Sequence, residues 1–344
     1  MSIKIGILGS TGYTGCQLVS ILLNHPEAEI IWLTSEKFKG LGYSEVFPGL
    51  AGRVDIKCVS VSKLDELQTP DLVFSCLPNI TSMHFVKKLC EKGSKVIDLS
   101  SDFRIKDTGI FKQYFNKEHP SKGLVDQAVY GLPELNRENI KGADLIANPG
   151  CFATTVLLSL APLLKNGIEP ANIVADIKAP ISGAGRAPRL DYHFPETNQN
   201  ITGGSSEAYY QKLEVKEFLN IKYKFDSQLI FNTHRVNVKR GILASLYCTL
   251  GGEYTYDFIY GLFIEFYSGE KFVRVRGNDE TLQLKNVLDS NYCDISISFQ
   301  ENHLLIETVL DNTFKGASGQ AVQNMNIIYG LGEDTGLSGV PLFP

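Results

Sequence analysis

Residues 4–8 form a short apolar run that opens into Gly9-Ser10-Thr11-Gly12-Tyr13-Thr14-Gly15, and helical spacing comes next at Leu18, Val19, Leu22 and Leu23. A strand that turns through glycines into a helix is the start of a βαβ unit, and few folds accept it. Gly9 permits the turn, Gly12 lets a backbone approach a pyrophosphate, and Gly15 allows the helix to pack closely on the strand. The spacing is G-x-x-G-x-x-G, so the dinucleotide fingerprint is met only loosely. A glycine-rich turn without a ligand stays open beside the cofactor reading of Gly9, Ser10, Thr11, Gly12, Tyr13, Thr14 and Gly15.

The chain keeps the same rhythm beyond this unit. Residues 29–33 read as a second strand, which ends in Thr34-Ser35-Glu36-Lys37. A NAD site usually sets an acid here to hold the ribose hydroxyls. The hydroxyls of Thr34 and Ser35 and the ammonium groups of Lys37 and Lys39 suit a 2′-phosphate and favour NADP; Glu36 argues against it, and a solvated turn also fits. Strands are expected at 72–76 and 95–99 with a helix at 81–92 between them, which gives a parallel sheet with right-handed crossovers. Leu77-Pro78-Asn79 lies past a strand's C-terminal end, where such sheets bind dinucleotides. Ser100-Ser101-Asp102-Phe103-Arg104 ends the next strand and offers hydroxyls and a guanidinium to an anionic substrate; a structural turn fits equally. Residues 107–139 read as irregular and polar.

A buried strand at 143–147 then delivers Asn148-Pro149-Gly150-Cys151, and residues 154–164 carry helical spacing. A cysteine at a helix start meets unpaired N–H groups and the positive end of the helix dipole, which favour thiolate. Cys151 is therefore a candidate nucleophile; a small buried residue at a tight turn is the alternative. Beyond it, 173–178 alternates as a half-buried strand. The loop Ser182-Gly183-Ala184-Gly185-Arg186 suggests backbone N–H groups facing a ligand, with positive charge from Arg186; a flexible loop is the other reading. Residues 190–207 are loop-like and 206–219 helical. Strands at 228–231 (ending in Thr233-His234-Arg235), 242–248, 294–299 and 303–309 surround a helix at 255–267. The second half thus reads as α+β with an antiparallel or mixed sheet. A last helix is expected at 319–331. The fold class is α/β: a Rossmann-type parallel-sheet domain plus an α+β substrate and dimerisation domain.

With 344 residues the chain is long enough for about two domains. A net charge of −5 with scattered Lys and Arg argues against a nucleic-acid partner. The start of the chain shows no secretory pattern, and no apolar run approaches the ~20 residues of a membrane span. The seven cysteines are odd in number and widely spaced, with no Cys/His cluster. Neither a disulfide framework nor a metal site is expected, and a reducing cytoplasm fits.

Taken together, the chain resembles the N-acetyl-γ-glutamyl-phosphate reductases of arginine biosynthesis over nearly its whole length. The residues that carry the resemblance are the glycine turn at 9–15, Asp98-Leu99-Ser100-Ser101-Asp102-Phe103-Arg104, Tyr130-Gly131-Leu132-Pro133-Glu134-Leu135-Asn136, Asn148-Pro149-Gly150-Cys151, the Ser182 loop, Arg240-Gly241-Ile242, and residues 315–326, Lys-Gly-Ala-Ser-Gly-Gln-Ala-Val-Gln-Asn-Met-Asn. Aspartate-semialdehyde dehydrogenases share the architecture but match these stretches less well. The resemblance implies a discontinuous NADP-binding domain, 1–148 with 318–344, and a catalytic and oligomerisation domain at 149–317, in a homo-oligomer (dimer or tetramer). It implies that Cys151 attacks a small acyl phosphate, that Ser35, Ser182 with Gly183, and Asn324 contact NADP, and that Arg104, Asn148, Arg186 and Arg240 are candidates to hold substrate. Helix-start N–H groups would stabilise the oxyanion. There is one departure. The family's His-Arg-His-x-Pro-Glu-Ile stretch is matched by Tyr209-Tyr210-Gln211-Lys212-Leu213-Glu214-Val215, so both histidines are absent; the usual proline before Arg240 is Lys239. His234 is then the candidate replacement acid/base, with a structural or substrate-orienting role as its alternative. A modified acyl substrate, or a non-catalytic nucleotide-binding descendant, would also account for the loss.

Overall fold

Alternating strands and helices fill the first part of the computed structural model, which describes residues 2–204, 206–301 and 303–341. The chain divides into two units, Met1–Pro149 with Ala317–Ser338, and Gly150–Gly316 with the chain from Gly339.

In the first unit, β1 (Ile3–Leu8), α1 (Tyr13–Leu22), β2 (Ala28–Thr34), α2 (Tyr43–Val46), β3 (Cys58–Val59), β4 (Leu72–Ser75), α3 (Ser82–Glu91) and β5 (Lys95–Asp98) succeed one another. Then come α4 (Thr108–Phe115), α5 (Lys122–Gln127), β6 (Val129–Tyr130), α6 (Pro133–Ile140) and β7 (Leu145–Ala147). The strands form one parallel sheet in the order β3-β2-β1-β4-β5-β7-β6. The order reverses on either side of β1, which opens a crevice beyond the C-terminal ends of β1 and β4. The core is continuous through Leu8, Trp32, Val73, Val86, Val96 and Phe103. Gly6 serves it directly, because a Cβ there would stand 2.1 Å from the Trp32 ring.

The stretch expected to be irregular, 107–139, is helical in three pieces. Asp107 caps α4, accepting from the amides of Gly109 at 2.7 Å and Ile110 at 3.3 Å. Pro133 occupies the first turn of α6. These helices are short and broken, with Asn136 kinking α6. Their apolar periodicity therefore never accumulates enough turns to be read.

The second unit begins at α7 (Cys151–Lys165), three residues earlier than the spacing indicates, and every residue from Phe152 to Leu164 is buried. Pro162 lies inside α7 and cannot supply the N–H that the Leu158 carbonyl would otherwise accept; the buried hydroxyl of Tyr267 donates to that carbonyl instead. The remaining elements are β8 (Asn172–Ala179), α8 (Phe194–Thr197), β9 (Thr202–Gly203), α9 (Ser206–Tyr223), β10 (Gln228–Arg235), β11 (Ile242–Thr249), α10 (Tyr256–Phe266), β12 (Val273–Val275), β13 (Cys293–Gln300) and β14 (His303–Leu310). Their sheet is mixed, in the order β12-β13-β14-β11-β8-β10-β9. The expected loop at 190–207 holds α8, β9 and a 3-10 turn at Leu190–Tyr192, while Ser205 lies outside the described residues.

The chain returns to the first unit in α11 (Gly319–Ile328), whose residues are buried from Gly319 to Ile327. Ser318 Oγ donates to the Thr14 carbonyl at 2.9 Å and ties the start of α11 to α1.

Candidate active site

In the first unit the glycine turn is built as its residue types require. Gly9 holds φ +69, and a Cβ there would lie 2.6 Å from the Cys76 carbonyl oxygen. A Cβ at Gly15 would lie 2.5 Å from the Gly9 oxygen, so helix and turn pack backbone on backbone. At Gly12, which precedes α1, a Cβ would meet only the Gly9 oxygen at 3.6 Å. That side of the turn is open to a pyrophosphate. Thr34 holds the turn from β2: its hydroxyl accepts from Gly9 N–H at 3.0 Å, and its carbonyl accepts from Ser10 N–H and Ser10 Oγ at 3.0 Å each. Buried Tyr43 donates to the Ser10 carbonyl at 2.8 Å, and burial pushes its phenol well above the usual range. Sequence reasoning missed Tyr43, which sits 33 residues away in a four-residue helix.

The end of β2 bears on the choice of cofactor. Ser35 Oγ lies 2.8 Å from Thr11 Oγ1, joining two hydroxyls from the turn and the strand end. Lys37 is exposed beside them. Glu36 turns away, accepting from Ser60 Oγ at 2.9 Å and from Val61 N–H at 2.7 Å. The one acid that spoke against a 2′-phosphate is therefore engaged elsewhere, and the groups left at the turn are hydroxyls and ammoniums.

Further along the sheet, buried polar groups lock the strand ends. Asp98 accepts from Ser82 Oγ at 2.5 Å and Ser100 Oγ at 2.6 Å. Asp102 accepts from the amides of Ile80 at 2.8 Å and Met83 at 2.9 Å, and burial, then the nearby Asp98, pushes its carboxyl up to about 6. Arg104 donates from Nε to the Asn148 carbonyl at 2.7 Å and from Nη2 to the Leu99 carbonyl at 2.8 Å, which makes it a clamp across the ends of β5 and β7. Asn148, a candidate substrate contact, follows β7 directly. Its side chain is fully buried, donating to the Ala317 carbonyl at 3.2 Å and accepting from Asn324 Nδ2 at 3.1 Å. Asn324 also donates to the Gly131 carbonyl at 2.8 Å, while its own side-chain oxygen is buried with no hydrogen-bond partner among the described residues. An orphaned acceptor of that kind suits a carboxamide N–H of a ligand.

In the second unit, Cys151 is the first residue of α7 and is half-buried. Gly316 makes room for it, since a Cβ at that position would stand 2.8 Å from Cys151 Cβ. Burial pushes the Cys58 and Cys76 thiols up, Cys90 to about 11 and Cys248 to about 12, which marks these as inert packing residues.

Three amides at the helix start are engaged within the chain. Gly150 N–H donates to Glu214 Oε1 at 2.9 Å; Phe152 and Ala153 N–H donate to Gln211 Oε1 at 2.9 and 3.2 Å. Gln211 and Glu214, three apart on α9, face α7 together. Sequence reading saw this segment only as a motif that had lost its histidines. The i, i+3 pair of acceptors was the signal that it now caps a neighbouring helix.

His234, the candidate replacement acid/base, lies on β10. Ser159 Oγ on α7 lies 2.7 Å from Thr308 Oγ1 on β14. Thr308, Ala244, Ile177 and Thr233 register across the sheet and so share the face that α7 covers. His234 comes directly after Thr233 and pairs with Lys178, so it projects from the opposite face. There its Nδ1 lies 2.8 Å from Asp176 Oδ1, and Lys178 Nζ donates to Asp176 Oδ2 at 2.9 Å. Burial pushes Asp176 up, but Lys178 and then His234 outweigh it and hold the carboxyl below its usual range. The sheet thus stands between His234 and α7, the helix that begins at Cys151.

The Ser182 loop is a 3-10 turn, Ile181–Ala184, and most of its amides are engaged within the chain. Ile181, Ser182, Gly183 and Gly185 donate to Val238, Lys239, Pro180 and Ser182 carbonyls. The amides of Ser182 and Gly183 are thus turned to the chain itself, and the turn also carries the Ser182 hydroxyl and, beyond it, the exposed Arg186. Asn312, missed from sequence, links this turn to the next: Nδ2 donates to Ser182 Oγ at 3.1 Å, and Oδ1 accepts from Gly241 N–H at 2.9 Å. Arg240 is paired with Asp289 at 2.8 Å. Among the described residues no group of three or more His, Cys, Asp or Glu is placed to hold a metal ion, and no helix is long and apolar enough to cross a membrane.

Two family models match the chain: the semialdehyde dehydrogenase NAD binding domain over residues 4–143 and the semialdehyde dehydrogenase dimerisation domain over 151–312. Solved structures of the same architecture include aspartate semialdehyde dehydrogenase II from Vibrio cholerae in complex with ASA (TM-score 0.73, 16% identity, 96% of this chain and 99% of that one). Another is the Candida albicans aspartate semialdehyde dehydrogenase with NADP (TM-score 0.74, 18% identity, 96% and 99%). Fold and site thus define a protein of the semialdehyde dehydrogenase class. Among curated proteins, the N-acetyl-gamma-glutamyl-phosphate reductases of Pelotomaculum thermopropionicum and Symbiobacterium thermophilum are 40% and 41% identical to it, each over 100% of both chains. The chain belongs to the N-acetyl-gamma-glutamyl-phosphate reductase family.

Proposed function

We propose that this protein reduces N-acetyl-γ-glutamyl phosphate to N-acetylglutamate semialdehyde with NADPH, releasing phosphate, through a thioester on Cys151. The observation that carries the reading is full-length identity to the family together with a half-buried cysteine at the first position of α7. Helix-start geometry supports a thiolate there. The thiolate forms the C–S bond, the bond to phosphate breaks, and the thioester waits for reduction. Bound NADPH supplies the hydride. On the protein's side, Gly9 to Gly15 with Ser35 and Lys37 hold the dinucleotide and its 2′-phosphate, and the orphaned oxygen of Asn324 adds an acceptor. Ser182 is offered as a further cofactor contact and Arg186 as a substrate contact. Arg104 and Arg240 are further candidates to hold substrate, Arg104 while bonded to the Asn148 and Leu99 carbonyls and Arg240 while paired with Asp289.

The units support a domain assignment of 1–148 with 318–344 for NADP and 149–317 for catalysis and assembly. The dimerisation-domain match supports a homo-oligomer. Seven free cysteines support a cytoplasmic location. The test is phosphate-dependent reduction of NADP in the presence of N-acetylglutamate semialdehyde. Turnover that Cys151→Ser abolishes, with NADP affinity unchanged, is expected; substantial residual activity in the variant sinks the thioester. Tyr209 and Gln211 in place of the family's histidines favour one second reading, a reductase of another acyl phosphate. It predicts turnover with a different semialdehyde only.

A further inference from the structure

The geometry points to Gln211 as the hydrogen-bond donor for the oxyanion formed on Cys151, acting without exchange of a proton. This rests on the thioester reading above. The two helix amides that come after Cys151 both donate to Gln211 Oε1, at 2.9 and 3.2 Å. Two N–H donors converging on one atom identify it as the oxygen and fix which end of the carboxamide faces the helix. The other end, Nε2, makes no hydrogen bond among the described residues. Gln211 as a residue is half-buried, and its Nε2 carries two hydrogens.

The helix amides beside Cys151 are therefore committed, yet their effect is not lost. Donation into the carboxamide oxygen draws electron density from the nitrogen and strengthens its N–H groups as donors. Gln211 relays the positive end of α7 outward, one side chain further. Glu214 completes the arrangement by holding Gly150 N–H at 2.9 Å from the same face of α9.

The reaction balances without an acid at this position. The thiolate's electron pair forms the C–S bond, and the carbonyl π pair moves onto oxygen, where Nε2–H stabilises it. Collapse breaks the C–O bond to phosphate, and the departing phosphate takes its proton from water. After hydride from NADPH reaches the same carbon, the oxyanion forms again. It collapses with cleavage of the C–S bond, and the electron pair returns to sulfur. A carboxamide does not titrate near neutrality, so no limb of the rate profile comes from this position.

The test compares wild type, Gln211→Glu and Gln211→His in the phosphate-dependent reverse reaction, with pH profiles of Cys151 alkylation by iodoacetamide. Gln211→Glu keeps an oxygen for the helix amides but has no N–H to give. It is expected to keep a stable, alkylatable protein and to lose about 10²–10³-fold in kcat, as loss of an oxyanion donor does. Gln211→His is expected to add a limb near pH ~6.5 to a profile that rises with thiol ionisation alone in wild type. If Gln211→Glu keeps kcat within threefold of wild type, Gln211 is only a helix cap and the proposal fails. A wild-type profile that already shows a second limb in that range also overturns it. If wild type turns over no semialdehyde while Cys151 still alkylates, the functional reading fails, and this proposal with it.

Discussion

Glu214 Oε1 accepts the Gly150 amide at 2.9 Å, so a buried carboxyl on α9 holds the turn that presents Cys151. Glu214→Ala leaves that N–H buried and unpaired, at a cost of about 1–3 kcal/mol. Glu214→Gln retains an acceptor and is expected to recover most of the loss. Thermal unfolding of the full chain reads both; equal stability in the two variants would show that the contact is not needed.

The hydroxyl pair of Thr11 and Ser35 makes a prediction about cofactor choice. Ser35→Ala removes a donor from a 2′-phosphate, and Lys37→Ala removes a charge. Each is expected to raise KM for NADPH about tenfold and to leave KM for NADH unchanged. Parallel loss with both nucleotides would move the 2′-phosphate contact away from β2.

Tyr267 supplies the hydrogen bond that Pro162 removes from α7. Tyr267→Phe orphans the buried Leu158 carbonyl and is expected to lower stability by about 1–3 kcal/mol. The double variant Tyr267→Phe with Pro162→Ala restores a main-chain donor and should regain part of that loss. No recovery would mean that the phenol serves packing alone.

His119 predicts acid sensitivity. Its ring meets Phe103 and Phe111 edge to face, with centroids 5.0 and 5.2 Å away, and Nδ1 accepts from Ser121 N–H at 3.2 Å. Burial, and then His84, lowers its pKa from 6.5 to about 4. The unfolded chain thus binds the proton first, so the contribution of neutral His119 is complete above pH ~6.5 and is lost as pH falls toward 4. About 2 kcal/mol is expected after allowance for its partial exposure. His119→Leu should flatten unfolding midpoints between pH 7 and 4. Asp102 works in the opposite direction across the same window, since its raised pKa favours the folded state in acid.

Local chemistry made much of this legible without coordinates. A glycine turn between a strand and a helix admits few structures, and the turn at Gly9 to Gly15 is formed by backbone contacts that only glycines allow. The alternation at 173–178 became β8, and Pro149-Gly150 stops β7 and starts α7 because proline and glycine act within their own few residues. The short helices at 108–140 escaped notice because their apolar faces are too brief to show a period. Only tertiary structure decided what lies across a sheet or between helices. That Glu36 turns to Val61, that Asn148 is locked by Asn324, and that Gln211 covers the amides after Cys151 all depend on pairings 25 to 176 residues apart. His234 shows the reason most clearly. A strand's alternation tells that neighbours point to opposite faces, but which face meets α7 is settled by packing, through Ser159 and Thr308.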